Sequence, residues 1–401
     1  MVQPSTELIH HGYTAPDGFA APQPGVFKAS TVFFPSVAAM RSREWKDKTG
    51  YTYGLHGTPT SYLLEERLCT LEGGSQCVLV PSGLAAIALV ALSLLKSGDE
   101  VLIPDNAYGP SKSLVEGELL GWGITHQYYD PMDPQDLQAQ ISSRTKLVWL
   151  EAAGSVTLEF PDLREMVRIC RQRKVLTALD NTWGAGLAFR PFALAGAQEP
   201  GLGVDLSVHA LTKYPSGGGD VLMGSIVSRD PALHLRLKLT HMRLGLGVGM
   251  NDVESVLRSL PSMALRYQAH DQATRALAQW AQMQSEFVQV LHPALPESPG
   301  HAHWQALCQN APGGAAGLFS VILDPRFTPA QTDAFCDALR LFRLGYSWGG
   351  PVSLVVPYEL ASMRSGWPAH LLRGTLVRFA VGLEAVEDLQ ADIAQALLQL
   401  R

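Results

Sequence analysis

Lys213 is the residue with the most chemical promise. It follows the strand-like run Ser207-Val208-His209-Ala210, inside Leu211-Thr212-Lys213-Tyr214, with Gly217-Gly218-Gly219-Asp220 behind it. A lysine inside a crevice is desolvated, its pKa falls and its amine becomes a nucleophile; a solvated lysine stays inert. Asp180 closes an apolar run before Asn181-Thr182-Trp183. That position faces the crevice where open α/β sheets bind ligands, although a helix N-cap would use the same residue. Pro81-Ser82-Gly83 turns a strand into a helix. Helix-start N–H groups after a small-residue turn hold anions, although a plain tight turn looks the same. Each signal alone is weak. In this order along the chain, an anion cradle, a strand-end carboxylate and a strand-end lysine are the parts of a pyridoxal 5'-phosphate site. The carboxylate keeps the pyridine nitrogen protonated and the lysine forms the Schiff base.

Other chemistries fail on spacing. Neither G-x-G-x-x-G nor the Walker pattern occurs, and Ser82-Gly83 lacks the G-x-S-x-G elbow. His301-Ala302-His303 and His10-His11 have no acidic or Cys partner at ligand spacing, so no metal is expected and both read as solvated loops. Lys plus Arg number 31 against 37 Asp plus Glu, a net charge of −6, which argues against a nucleic-acid partner. The longest apolar run, Leu84 to Leu95, is too short to span a bilayer, and no signal peptide is visible. The five cysteines (Cys69, Cys77, Cys170, Cys308, Cys336) form no C-x-x-C and read as free thiols in a reducing cytosol.

The elements that position these residues follow from periodicity. With 46% hydrophobic and 17% charged residues over 401, the chain is globular and long enough for two or three domains. Residues 1–58 look irregular and must lean on another surface. Residues 59–252 alternate strands and helices. Thr60-Ser61 caps a helix ending at Gly73-Gly74, and strands read at Cys77–Val80, Val101–Ile103, Ile124–Tyr129, Leu147–Leu150, Val175–Leu179, Leu206–Val208 and Ser225–Val227. Repeated βα units predict an α/β fold with a doubly wound, mostly parallel sheet. Residues 253–401 predict a smaller α+β domain. It opens with a helical stretch from Val253 to Gln289, kinked or restarted at Pro261, continues with strands at Leu318–Leu323 and Leu376–Val381, and closes with an amphipathic helix through Val386, Leu389, Ile393, Leu397 and Leu400.

From Thr6-Glu7-Leu8-Ile9-His10 to the last helix, the chain resembles the Cys/Met-metabolism pyridoxal phosphate enzymes of fold type I. The motifs that carry this are Gly57-Thr58-Pro59-Thr60, Leu71-Glu72-Gly73-Gly74, Ala107-Tyr108, Asp180-Asn181-Thr182-Trp183 and Thr212-Lys213-Tyr214. Tyr346-Ser347-Trp348-Gly349-Gly350 and Gly374-Thr375-Leu376-Val377-Arg378 resemble its β-lyase branch. The resemblance implies that Lys213 binds the cofactor and moves the α-proton, that Asp180 pairs with the ring nitrogen, and that Tyr108 stacks on the ring and assists proton transfer. It implies a phosphate held by the amides of Gly83 and Leu84 and the Thr212 hydroxyl, with Tyr53 reaching in from a neighbouring subunit. Arg378 would grip the substrate carboxylate, with Ser347 and Trp348 lining the same pocket. The bland alternatives are a surface ion pair for Arg378 and a plain interface tyrosine for Tyr108. The implied activity is α,β-elimination of cystathionine to homocysteine, pyruvate and ammonia by a cytoplasmic homo-oligomer, a dimer of dimers. γ-Elimination or γ-replacement on the same site, and an idle binding protein on this scaffold, are the alternatives. One departure stands out: where the family often has an arginine two positions after the phosphate-binding tyrosine, this chain has Leu55, followed by His56.

Overall fold

The structure is a computed structural model and describes residues 17–18 and 21–400. Thr6–His10 and the His10-His11 pair lie outside the described residues. Seven strands form the first sheet: β1 (Gln76–Val80), β2 (Glu100–Pro104), β3 (Thr125–Tyr129), β4 (Thr145–Glu151), β5 (Leu176–Asp180), β6 (Leu206–Ala210) and β7 (Gly224–Ser228). Their order is β1-β7-β6-β5-β4-β2-β3, and β7 alone pairs antiparallel with its neighbours. Successive side chains leave opposite faces. Val78, Val80, Val101, Ile103 and Leu147 enter one apolar cluster; Cys77, Leu79, Leu102 and Val148 enter the other. Both faces are therefore covered, as the near-continuous apolar strands require.

Helix α1 (Pro59–Glu72) feeds β1, and α2 (Gly83–Leu94) leaves it. The cap of α1 is Thr58 rather than Thr60-Ser61: Thr58 and Ser61 form a capping box and Pro59 takes the first helical position. Gly73, at φ +80°, ends the helix in the left-handed conformation that favours glycine. Helix α3 (Met250–Ala281) runs through Pro261 without restarting. It stops eight residues before Gln289, because β8 (Phe287–Leu291) occupies that stretch.

The second sheet has the order β10-β11-β12-β9-β8, built from β8, β9 (Leu318–Leu323), β10 (Arg343–Leu344), β11 (Leu354–Tyr358) and β12 (Leu376–Ala380). The periodicity reading finds β9 and β12 and misses the other three. His301 and His303 stand on a helix, α4 (His301–Cys308), not on a loop. His301 Nδ1 lies 2.9 Å from the Pro293 carbonyl, and among the described residues no group of three His, Cys, Asp or Glu could hold a metal. The terminal helix α5 (Val386–Ala396) packs Leu389 and Ile393 into the core of the second sheet, as expected. Among the described residues no helix is long and apolar enough to cross a membrane.

Candidate active site

A cleft of about 620 Å³ opens at the carboxyl ends of β4, β5 and β6, within the usual size range of small-ligand sites. Asp180 is the last residue of β5, and Lys213 lies three residues beyond the end of β6. The N-terminus of α2 meets them from the side, with Ser82, Gly83 and Leu84 lining the cleft. Gly83 is required there, because a Cβ on it would lie 2.6 Å from the Ala210 Cβ. The close approach brings the start of α2 against the end of β6.

Lys213 Nζ donates to Ser347 Oγ at 2.6 Å and lies 5.3 Å from the Trp348 ring centre. Burial, helped by the nearby Arg378 charge, lowers its pKa to about 8, so a neutral amine is accessible near neutral pH. Asp180 Oδ1 accepts from the Thr182 N–H at 3.0 Å, and burial pushes the carboxyl pKa up. Thr212 Oγ1 accepts from the Met223 N–H at 3.3 Å. The Tyr108 ring lines the cleft and is 43% exposed, open to a stacking partner.

The second sheet contributes the opposite wall. Arg378, in the middle of β12, is only 7% exposed, which excludes a surface ion pair. Its Nη2 donates to the Ser347 carbonyl at 3.3 Å, while its buried Nε has no partner among the described residues. A buried guanidinium N–H without an acceptor is costly, and an acceptor supplied by a ligand would complete it. Ser347 thus touches both Lys213 and Arg378, and it does so at φ +96°, unusual for a residue with a side chain.

The structure therefore brings together Gly83, Leu84, Tyr108, Asp180, Thr212, Lys213, Ser347, Trp348 and Arg378. It leaves Tyr53 out of this chain's cleft lining; Tyr53 is 46% exposed on the turn before Gly54–His56. Leu55 and His56 line a separate small pocket with Trp45 and His241. Sequence reasoning missed Glu151, the last residue of β4, which sits in register with Asp180 and lines the cleft. Its Oε2 accepts from the Tyr108 N–H at 2.8 Å, and burial together with the Asp180 charge raises its pKa well above normal. An acid closing an apolar strand was the signal that found Asp180, and it was available here too.

A helix-start anion cradle, a strand-end acid, a desolvated lysine and an open aromatic face fit pyridoxal phosphate. Residues 5–398 match the family described as Cys/Met metabolism PLP-dependent enzyme. The chain belongs to this family. It is 38% identical over 401 residues to a cystathionine beta-lyase of Bordetella avium, covering 97% of this chain and 96% of that one. It is 32% identical over 403 residues to an L-alanine/L-glutamate racemase of Wolbachia pipientis wMel, covering 98% and 96%. Among solved structures, a cystathionine gamma synthase from Xanthomonas oryzae pv. oryzae, in complex with aminoacrylate and cysteine, superposes with a TM-score of 0.83. It is 30% identical, with 96% of this chain and 95% of that chain covered. The cofactor is pyridoxal phosphate and the fold is fold type I.

Proposed function

We propose that the protein is a pyridoxal phosphate C–S lyase that splits cystathionine by α,β-elimination into homocysteine, pyruvate and ammonia. The observation that carries this is the convergence, in one cleft, of a desolvated Lys213 amine and a buried Arg378 whose Nε N–H has no acceptor among the described residues. Bound pyridoxal phosphate supplies an electron sink for the carbanion that forms when Cα loses its proton. Arg378 receives the substrate α-carboxylate on its planar fork. Lys213 would hold the cofactor at rest and, once its amine is free, would take the Cα proton. Ser347, in contact with both Lys213 and Arg378, keeps the amine and the carboxylate anchor in one alignment. Asp180 would pair with the ring nitrogen, whose positive charge would offset the burial that raises the carboxyl pKa. Gly83 and Leu84 amides and the Thr212 hydroxyl hold the phosphate. The Tyr108 ring covers the cofactor and assists proton transfer. The Cβ–S bond then breaks with its electron pair on sulfur. Homocysteine leaves, and the remaining three-carbon fragment hydrolyses to pyruvate and ammonia.

The half-exposed Tyr53 serves the cofactor of a neighbouring copy, so the working form is a dimer or a dimer of dimers. The test of the activity is incubation with cystathionine and identification of the keto acid. Pyruvate supports β-elimination. 2-Oxobutyrate would mean γ-elimination, and an inverted amino acid without any keto acid would mean racemisation.

A further inference from the structure

Arg364 stands outside the cleft lining and has no part in the chemistry above, yet its side chain is only 5% exposed. Its Nε donates to Asp105 Oδ2 at 3.2 Å and its Nη1 to Glu159 Oε2 at 2.9 Å. These acids sit on two different loops of the first-sheet half: Asp105 three residues before Tyr108, Glu159 just after the cleft-lining Val156 and Leu158. Arg364 itself follows β11 and belongs to the second-sheet half. One buried cation thus joins the two halves across the edge of the cleft.

Both acids are drawn fully into the arrangement. Asp105 also accepts from the Ser365 N–H at 3.0 Å and from Lys112 Nζ at 3.1 Å. Lys112 continues to the Met363 carbonyl at 2.6 Å. Glu159 also pairs with His370 and accepts from Asn106 Nδ2 at 2.6 Å. Burial alone would raise its pKa, but the His370 and Arg364 contacts outweigh it and hold it at about 2. The segment from Tyr358, the last residue of β11, to Met363, just before Arg364, brings these two side chains into the cleft wall. The Tyr358 ring lies 5.5 Å from the Arg378 guanidinium.

We infer that Arg364 is a positioning residue for the substrate: the buried cation of a clasp that holds the Tyr358–Met363 segment over the cleft and thereby aligns Arg378. A planar guanidinium can serve two acids at once, whereas an ammonium on a flexible stem concentrates on one. The clasp reaches the Arg378 wall through Tyr358, while Lys213 and Asp180 rest on the first sheet. The loop carrying Asp105 and Tyr108 is held to the first sheet independently, the Asp105 N–H donating to the Tyr129 carbonyl at 2.9 Å, so loosening the clasp weakens the grip on the amino acid and spares the cofactor.

The inference rests on the cleft being the substrate site. The test is Arg364→Lys in the holoenzyme, which keeps a cation and so the fold. Three readings are taken: KM and kcat for cystathionine, cofactor affinity, and amide hydrogen exchange of the peptide spanning residues 359–373. The expected result is a KM raised about tenfold, below the roughly hundredfold that a 1 Å misplacement can cost, because the segment is loosened and not removed. kcat and cofactor affinity should change less than about twofold, with faster exchange in that peptide. Unchanged exchange would show that Arg364 holds nothing. Faster exchange with an unchanged KM would show that the cleft ignores the segment. Parallel loss of cofactor would make the clasp a general support. Each of these overturns the proposal. A wild-type enzyme yielding no pyruvate would sink the activity reading instead, and the exchange measurement would still decide whether the clasp exists.

Discussion

The two sheets supply the cleft in different ways. The first sheet works through strand ends: Glu151, Asp180 and the turn to Lys213 stand where β4, β5 and β6 stop, next to the start of α2. The second works through a strand middle and a strained loop: Arg378 at the centre of β12 and Ser347 at a positive φ. A doubly wound sheet gathers its carboxyl ends into a crevice as a matter of topology, so chemistry there costs the fold little. The second sheet, antiparallel except where β10 meets β11, has no such crevice. It must bury a charged side chain from its own face and tie it to its neighbours. The first sheet accordingly holds the groups proposed for the cofactor, and the second those proposed for the substrate.

The sharpest way to break this division is Lys213→Ala. Keto acid formation should fall at least about 10³-fold, because the residue acts as both attachment point and proton carrier. The purified variant should also lose the yellow colour of the covalently held cofactor. Activity close to wild type would end the reading of the first sheet.

Arg378→Lys tests the other half. It keeps the charge but not the fork, and kcat/KM should drop by about 2–4 kcal/mol, the cost of disrupting a buried charged pair. The visible spectrum of the bound cofactor should not move. A changed spectrum with normal turnover would reverse the assignment of the two sheets.

Mixing inactive Lys213→Ala with Tyr53→Phe chains, at limiting cofactor, asks whether a cleft needs two chains. Random exchange into dimers makes half of them hybrids, each with one intact site, so about a quarter of the sites recover. No recovery, despite demonstrated exchange and an impaired Tyr53→Phe parent, would confine the site to one chain.

Lys213 also sets a pH dependence. Burial and Arg378 lower its pKa to about 8, and only the neutral amine attacks the cofactor's aldehyde. In the cofactor-free protein the capture rate should rise about tenfold per pH unit below 8 and level off above it. A flat profile from pH 6 to 9, followed by the growth of the visible band, would mean that the amine is already neutral.

What the sequence made legible follows the same division. Strand–turn–helix periodicity places all seven strands of the first sheet, and Asp180 and Lys213 after two of them, but not the last residue of β4. The second sheet was harder. β10 has two residues, β11 contains Pro357, which argues against a strand in the sequence, and β8 continues the apolar spacing of α3 closely enough to look like more helix. Arg378 was found through the resemblance around Gly374–Arg378, not through periodicity. Glu151 was missed although it carries the strand-end signature of Asp180. The clasp at Arg364 was out of reach, because Asp105, Glu159 and Arg364 are brought together only by tertiary packing.

The smallest expected effect concerns the departure at Leu55. A leucine cannot donate to a phosphate, so either the remaining donors suffice or His56 replaces the arginine. The structure favours the first. The His56 Nδ1 lies 2.8 Å from Thr52 Oγ1, and its ring stacks on Trp45 at 4.7 Å between centres. Burial and the Lys238 charge lower its pKa, which weakens it as a cationic phosphate ligand. It is engaged within its own arm, bracing the turn that carries Tyr53. His56→Ala should therefore leave cofactor affinity nearly unchanged, whereas Tyr53→Phe should weaken it by about 1–2 kcal/mol, the scale of one hydrogen bond to a charged group. Equilibrium cofactor binding on the two variants, with thermal melts to exclude unfolding, separates the cases. A larger loss in His56→Ala than in Tyr53→Phe, in a folded protein, would make His56 the substitute donor and move the phosphate clamp from the first sheet's helix start to the arm.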